Sequence, residues 1–211
     1  MNQLHRYLTE IPLIAILRGI PPEQAAAAGK ALYDAGLRCI EVPLNSPQPF
    51  RSIEALARSL PEDCLVGAGT ASHADQIKLI SDAGGRLVVM PHSDPAVILA
   101  AKAAGLICAP GVATPTEAFA ALSNGADALK LFPAEQVTPE VLKAWRAVLP
   151  PNTICIPVGG ITPARMLAYW NAGARGFGLG SAIYSPGLEV ADVSARAAAF
   201  VAAVKKLPAR V

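Results

Sequence analysis

The chain carries little net charge, few histidines, no paired cysteine motif and no long apolar run, and each shortage closes off a class of function. A formal net charge of +2 over 211 residues leaves too weak a positive field for nucleic acid, and no Lys/Arg cluster stands out locally. The four cysteines, Cys39, Cys64, Cys108 and Cys155, form no C-x-x-C and have no histidine at metal-ligand spacing. Cys39, Cys108 and Cys155 fall inside apolar strand-like runs, so the cysteines read as reduced core residues of a cytoplasmic protein. His5, His73 and His92 make no H-x-x-x-H and no carboxylate–histidine cluster, so neither a metal nor a cofactor is expected. No apolar stretch reaches the ~18 residues of a membrane helix. Met1-Asn2-Gln3-Leu4-His5-Arg6 lacks the charged-then-apolar layout of a signal peptide. A soluble cytoplasmic protein without nucleic-acid or membrane partners is the expectation.

What the chain does have is apolar content. Hydrophobic residues make up 53% and charged residues only 16%, which describes extensive covered surface and one well-buried domain over residues 1–211. Short β-type runs recur at 13–18, 39–43, 65–69, 86–90, 107–110, 128–132, 154–158 and 176–180. Their mean spacing of roughly 23 residues is about what a minimal strand–loop–helix–loop unit needs. Ala/Leu-rich helical patterns fill the intervals at 22–35, 47–59, 74–83, 95–104, 116–124, 139–148 and 163–172, and a last one covers 190–206. Several open with proline, and several close on glycine, at Gly36, Gly84, Gly105, Gly125 and Gly173. The expected fold is α/β, a single-domain (β/α)8 TIM barrel. A doubly wound open sheet is the alternative, but no strand-adjacent G-x-G-x-x-G with a downstream acidic residue supports it.

In Ala128-Leu129-Lys130-Leu131-Phe132-Pro133 an apolar run closed by proline reads as a buried strand. Alternation puts Ala128, Lys130 and Phe132 on one face, so a lone ammonium enters an apolar interior, where lysine is rare without a partner. Desolvation disfavours its charged form, and a neutral amine is what attacks a carbonyl. Lys130 is therefore a Schiff-base candidate. Glu41, in Cys39-Ile40-Glu41-Val42-Pro43, interrupts an apolar strand in the same way. Burial moves a carboxyl's pKa up towards neutrality, which suits general acid/base work. A structural Glu41–Lys130 ion pair is the other reading. A buried pair adds little net stability, so a catalytic role explains both residues better.

Active sites of such barrels lie at the C-terminal ends of the strands. Arg18 ends the first strand on the face of Ile14 and Ile16, where a guanidinium fork suits a carboxylate or phosphate; a rim salt bridge is the alternative. Thr70 follows Gly67-Ala68-Gly69 at the third strand's end, and alone reads equally as a helix cap. Two glycine turns, Gly159-Gly160-Ile161-Thr162-Pro163 and Gly178-Leu179-Gly180-Ser181, follow the seventh strand and end the eighth, where barrels frequently bind phosphate through bare backbone N–H groups. The nucleophile-elbow motif G-x-S-x-G is absent.

Taken together, residues 13–204 resemble the class I aldolases of 2-keto-3-deoxy-6-phosphosugar acids. The resemblance rests on Ile14-Ala15-Ile16-Leu17-Arg18-Gly19, Glu41-Val42-Pro43-Leu44-Asn45-Ser46-Pro47, Val66-Gly67-Ala68-Gly69-Thr70, Leu129-Lys130-Leu131-Phe132-Pro133 and the two glycine turns. It implies a homotrimer of (β/α)8 barrels that forms a lysine imine and needs no metal. By position it makes Lys130 the imine lysine and has Glu41 move protons through a bound water. Thr70 and Pro91 would seat a pyruvate moiety, Gly159, Gly160 and Ser181 would hold phosphate, and Phe132 would wall the pocket. The implied partner is a phosphorylated keto sugar acid, cleaved to pyruvate and glyceraldehyde 3-phosphate.

Within that family the chain is most similar to the galactonate-type branch. Gluconate-type enzymes carry arginine where this chain has Asn45, and threonine where it has Val158. Without that arginine, Arg18 is the nearest residue to pair a substrate carboxylate. Without the hydroxyl at 158, preference at the substrate's C4 should relax or invert. Arg165 departs from the galactonate-type pattern, which has asparagine there. The alternatives are the same chemistry on the gluconate epimer or on 4-hydroxy-2-oxoglutarate, a phosphate-binding isomerase or decarboxylase with Lys130 as a fixed charge, and a non-catalytic sugar-phosphate sensor.

Overall fold

The computed structural model describes residues 3–209. Met1 and Asn2, part of the segment read for a signal peptide, and Arg210 and Val211, the end of the expected domain, lie outside the described residues. β1 (Leu13–Ile16), β2 (Cys39–Pro43), β3 (Leu65–Gly69), β4 (Leu87–Val89) and β5 (Ile107–Ala109) pair in succession as a parallel sheet, and β9 (Phe177–Leu179) joins it beside β1. A second parallel sheet holds β6 (Gly111–Val112), β7 (Leu129–Leu131) and β8 (Cys155–Pro157) in that order. Only Pro110 separates β5 from β6, and a parallel bridge pairs Val158, beside β8, with Gly178 in β9.

The sequence pattern expects a fifth strand at 107–110; the structure ends β5 at Ala109 and adds β6, at Gly111–Val112, beyond that range. The break is chemical, because proline has no N–H to give to a ladder. Pro110 takes part only as an acceptor, its carbonyl receiving the Lys130 N–H at 2.9 Å. Six of the helices carry proline in the first turn: α2 (Pro22–Asp34), α3 (Pro49–Ser59), α5 (Pro95–Ala103), α6 (Pro115–Ser123), α7 (Pro139–Arg146) and α8 (Pro163–Asn171). α6 is also closed by a capping box in which Thr114 and Glu117 satisfy each other's backbone N–H groups. α4 (Gln76–Asp82) and α9 (Val190–Val204) lack the proline. α3 starts two residues later than the pattern 47–59 suggests, because Gln48 takes a left-handed φ of 42° just before it. The five glycines expected to stop helices all have positive φ.

Strand alternation divides the interior in two. Leu13, Ala15, Leu17, Ile40, Val42, Val66 and Ala68 face the helices, within the larger apolar cluster. Ile14, Ile16, Cys39, Leu65, Val89, Ala109, Ala128, Ile156 and Val158 meet in a second cluster between the strands themselves. Glu41 and Lys130 stand two residues beyond Cys39 and Ala128, and so share the face of that inner cluster. One short helix, α1 (Gln3–Leu8), has no counterpart in the sequence reading, since six residues are too few to show a helical period. Its Leu4, Tyr7 and Leu8 join the inner cluster, and Tyr7 accepts a 3.1 Å hydrogen bond from Arg86, just before β4. α1 therefore covers the N-terminal side of the strands and leaves their C-terminal side for chemistry. All four cysteines are buried and free. Among the described residues no helix is long and apolar enough to cross a membrane.

Candidate active site

Loops at the C-terminal ends of β1, β7, β8 and β9 enclose a cleft of about 170 Å³. Six residues singled out from the sequence, Arg18, Lys130, Phe132, Gly159, Gly160 and Ser181, line it together with Ile16, Val158 and Gly178. Segments more than a hundred residues apart in the chain thus converge as the strand-end argument requires. Two others sit just behind. Glu41 pairs in register with Ile16 of the cleft wall, and Thr70 Oγ1 lies 3.4 Å from Arg18 Nη2. Pro91 is not part of this wall: it follows β4, and its carbonyl backs against Gly111.

Lys130 is 5% exposed, at the floor of the cleft. Burial lowers its pKa, the Glu41 carboxylate pulls it partly back, and Arg18 lowers it further. Its Nζ sits 4.6 Å from the centre of the Phe132 ring, whose face favours a positive charge there. Glu41 is 1% exposed, and burial pushes its carboxyl up to about 7 against the opposing pull of Lys130 and Arg18. Its Oε2 is buried without a hydrogen-bond partner. Among the described residues no ion pair joins Glu41 to Lys130, so the static pair considered above is not formed. The carboxyl fits its place because residue 69 is glycine: any Cβ there would fall inside the Glu41 carboxylate.

The rim carries its own signs of constraint. Thr70, a β-branched residue, holds φ at 57°, a conformation such side chains rarely adopt and one that clusters at functional sites. Arg18 Nη1 donates to Asn45 Oδ1 at 2.6 Å. In the turn after β8, Gly159 and Gly160 have φ of 112° and 56°. A Cβ on Gly159 would lie 2.6 Å from Glu135 Oε2, and one on Gly160 would lie 2.8 Å from both Glu135 Oε1 and Arg165 Nη1. Arg165 also donates to the Gly160 carbonyl at 2.7 Å, which fixes the turn from outside. Beyond β9, the N–H groups of Ile183 and Tyr184 return to the Gly180 carbonyl at 2.9 and 3.0 Å, forming a tight turn around Ser181. Glu135 escaped the sequence reading, because an exposed glutamate in a loop carries no local signal of what it packs against. Among the described residues no group of three or more His, Cys, Asp or Glu side chains could hold a metal ion.

This arrangement offers a sequestered amine, a carboxyl poised near neutrality and a glycine turn with bare backbone. A family model, KDPG and KHG aldolase, matches residues 4–205. A probable 2-dehydro-3-deoxy-6-phosphogalactonate aldolase of Rhizobium meliloti (strain 1021) is 48% identical over 194 residues, 92% of each chain. The 2-dehydro-3-deoxy-6-phosphogalactonate aldolase of Escherichia coli (strain K12) is 43% identical over 201 residues, 95% of this chain and 98% of that one. A solved structure described as native KDPGal superimposes with a TM-score of 0.91 at 43% identity, covering 93% of this chain and 96% of the other. Over nearly its whole length, then, this chain belongs to the KDPG and KHG aldolase family.

Proposed function

We propose that this protein is a Schiff-base (class I) aldolase that cleaves 2-dehydro-3-deoxy-6-phosphogalactonate to pyruvate and D-glyceraldehyde 3-phosphate. The observation that carries the chemistry is Lys130, an amine at the floor of a cleft where burial disfavours its charged form. The substrate assignment is supported by the two galactonate-type relatives, at 48% and 43% identity, against 31% for a KHG/KDPG aldolase of Escherichia coli (strain K12).

Neutral Lys130 adds to the C2 ketone; protonated Glu41 gives its proton to the carbinolamine hydroxyl, which leaves as water, and the charge of the protonated imine that remains lies beside the Phe132 ring. Glu41, with a pKa of about 7, takes the C4 hydroxyl proton as the C3–C4 bond breaks and its electrons pass into the imine. Glyceraldehyde 3-phosphate leaves. Glu41 then returns the proton to C3 of the enamine, and water hydrolyses the imine to release pyruvate and the free amine, the proton set free going back to the Glu41 carboxylate. A carboxyl balanced between acid and base at neutral pH suits both steps. Arg18 and Thr70 hold the substrate carboxylate, and Gly159, Gly160 and Ser181 the phosphate. Pro91 stays assigned to the pyruvate end of the site at one remove, through the β4 loop it begins.

The same proposal joins the two sheets into one (β/α)8 barrel of a single domain, counting β5 and β6 as one strand interrupted at Pro110; the Val158–Gly178 bridge between β8 and β9 supports that closure. On such a ring β2 and β7 are opposite, reached through β1, β9 and β8 one way and through β3, β4 and β5/β6 the other. That places Glu41 and Lys130 across the interior from each other. The homotrimer and the cytoplasmic setting belong to the same proposal; the first rests on the family resemblance and the second on the buried, unpaired cysteines. Initial rates of pyruvate release from the galactonate and gluconate epimers test the assignment. Higher kcat/KM on the galactonate epimer is expected, and a large gluconate preference would sink it.

A further inference from the structure

Arg18 is a guanidinium at the cleft mouth without a carboxylate on it: among the described residues, no ion pair includes it. Two neutral oxygens hold it instead. Nη1 donates to Asn45 Oδ1 at 2.6 Å, and Nη2 reaches Thr70 Oγ1 at 3.4 Å. The next residue is anchored from the same loop as Asn45, since the Gly19 N–H donates to the buried Ser46 hydroxyl at 2.9 Å. Ser46 is set in turn by its own N–H, which donates to the Pro43 carbonyl at 2.9 Å. The loop after β1 is thus tied to the loop after β2 at two points, one on the side chain of Arg18 and one on the backbone beside it.

The type of tie matters. An amide oxygen orients a guanidinium and leaves its charge intact, whereas a carboxylate in the same place would pair with the fork and neutralise it. The charge does reach the inner groups, for Arg18 acts on both Glu41 and Lys130, in each case secondary to burial. We infer that Asn45 is a positioning residue: together with Ser46 it presents Arg18, still fully charged, to the carboxylate of the keto acid whose carbonyl Lys130 attacks. This rests on the Schiff-base reading above and adds to it the residue that sets the carboxylate's anchor.

The test is the pyruvate concentration dependence of borohydride trapping at Lys130, read by mass spectrometry in wild type, Asn45→Ala and Asn45→Asp, with melting temperature as a folding control. Asn45 is exposed, so all three chains should fold alike. Asn45→Ala releases Arg18 and raises half-saturation several-fold. Asn45→Asp keeps an oxygen acceptor at the same place but cancels the charge, so it raises half-saturation by about tenfold or more, on the scale of one lost charge-assisted contact. If the tie served only to hold the loops, Asp would restore wild-type behaviour, and that result overturns the inference. An unchanged pyruvate dependence in both variants overturns it too. Failure of wild type itself to trap at Lys130 is a different pattern: it removes the aldolase reading, and with it the role given to Asn45.

Discussion

Replacing Glu41 by glutamine should make the protein more stable as it makes it inactive, and the gain should depend on pH. The folded state holds the Glu41 proton to about pH 7, where an ordinary glutamate releases it near 4.5. Between those values the folded protein binds a proton that the unfolded chain does not, so this residue's contribution to stability falls as pH rises. It is most favourable below 4.5, declines across the window from 4.5 to 7, and is level above it. The total decline is on the order of 3 kcal/mol, from about 1.4 kcal/mol for each pH unit crossed. Glutamine does not titrate, so the difference between the variant and wild type should grow in the variant's favour by about that amount across the window. Urea unfolding at pH 5, 6, 7 and 8, at one protein concentration, gives the difference directly. A difference that stays flat, or that grows in favour of wild type, would refute the reasoning. A flat difference would mean that Glu41 titrates in the folded protein as an ordinary glutamate, and growth in favour of wild type that it is ionised and held as a stabilising partner of Lys130.

Other variants probe the same site from different sides. Lys130→Met should abolish turnover and borohydride trapping while preserving the fold, because the amine is the group that bonds to substrate. Val158→Thr returns a hydroxyl to the cleft wall and should move the galactonate-to-gluconate ratio of kcat/KM towards gluconate by about 10- to 100-fold, the scale of about 1–3 kcal/mol for one buried polar group paired or left unpaired; an unchanged ratio would remove Val158 from specificity. Gly159→Ala asks an L side chain to adopt φ of 112° against Glu135. It should raise KM for the phosphorylated substrate by about tenfold or more at a strain of roughly 1–3 kcal/mol, yet leave pyruvate trapping intact. If trapping is lost as KM rises, the turn serves the fold and not the phosphate.

The parts of this protein that were legible in its sequence depend on local periodicity. Lys130 and Glu41 could be placed on an inward face because side chains alternate along a strand whatever surrounds it, and the inner cluster falls on that period. Prolines and glycines marked the helix ends for equally local reasons, a missing N–H and a tolerance of positive φ. What could not be read depends on distant segments meeting. Asn45 looked like a lost arginine, and only the fold shows it holding another one, Arg18. Glu135, in the loop after β7, and Arg165, in the first turn of α8, close on Gly160 from two sides, a contact that no spacing encodes. Thr70 gave the signal of an ordinary cap, while its unusual backbone is imposed by its surroundings. Pro110 was visible as a letter, but its effect, a strand divided in two, appears only once the neighbouring ladder is drawn.

The central claim is that Lys130 forms the covalent bond. Incubating wild-type protein with pyruvate and borohydride, then mapping the modified peptide by mass spectrometry, tests it most directly. One reduced pyruvate adduct on Lys130, absent when borohydride is omitted and absent from Lys130→Met, is the predicted result. Correctly folded protein that gives no adduct, or gives it on another lysine, would contradict the account.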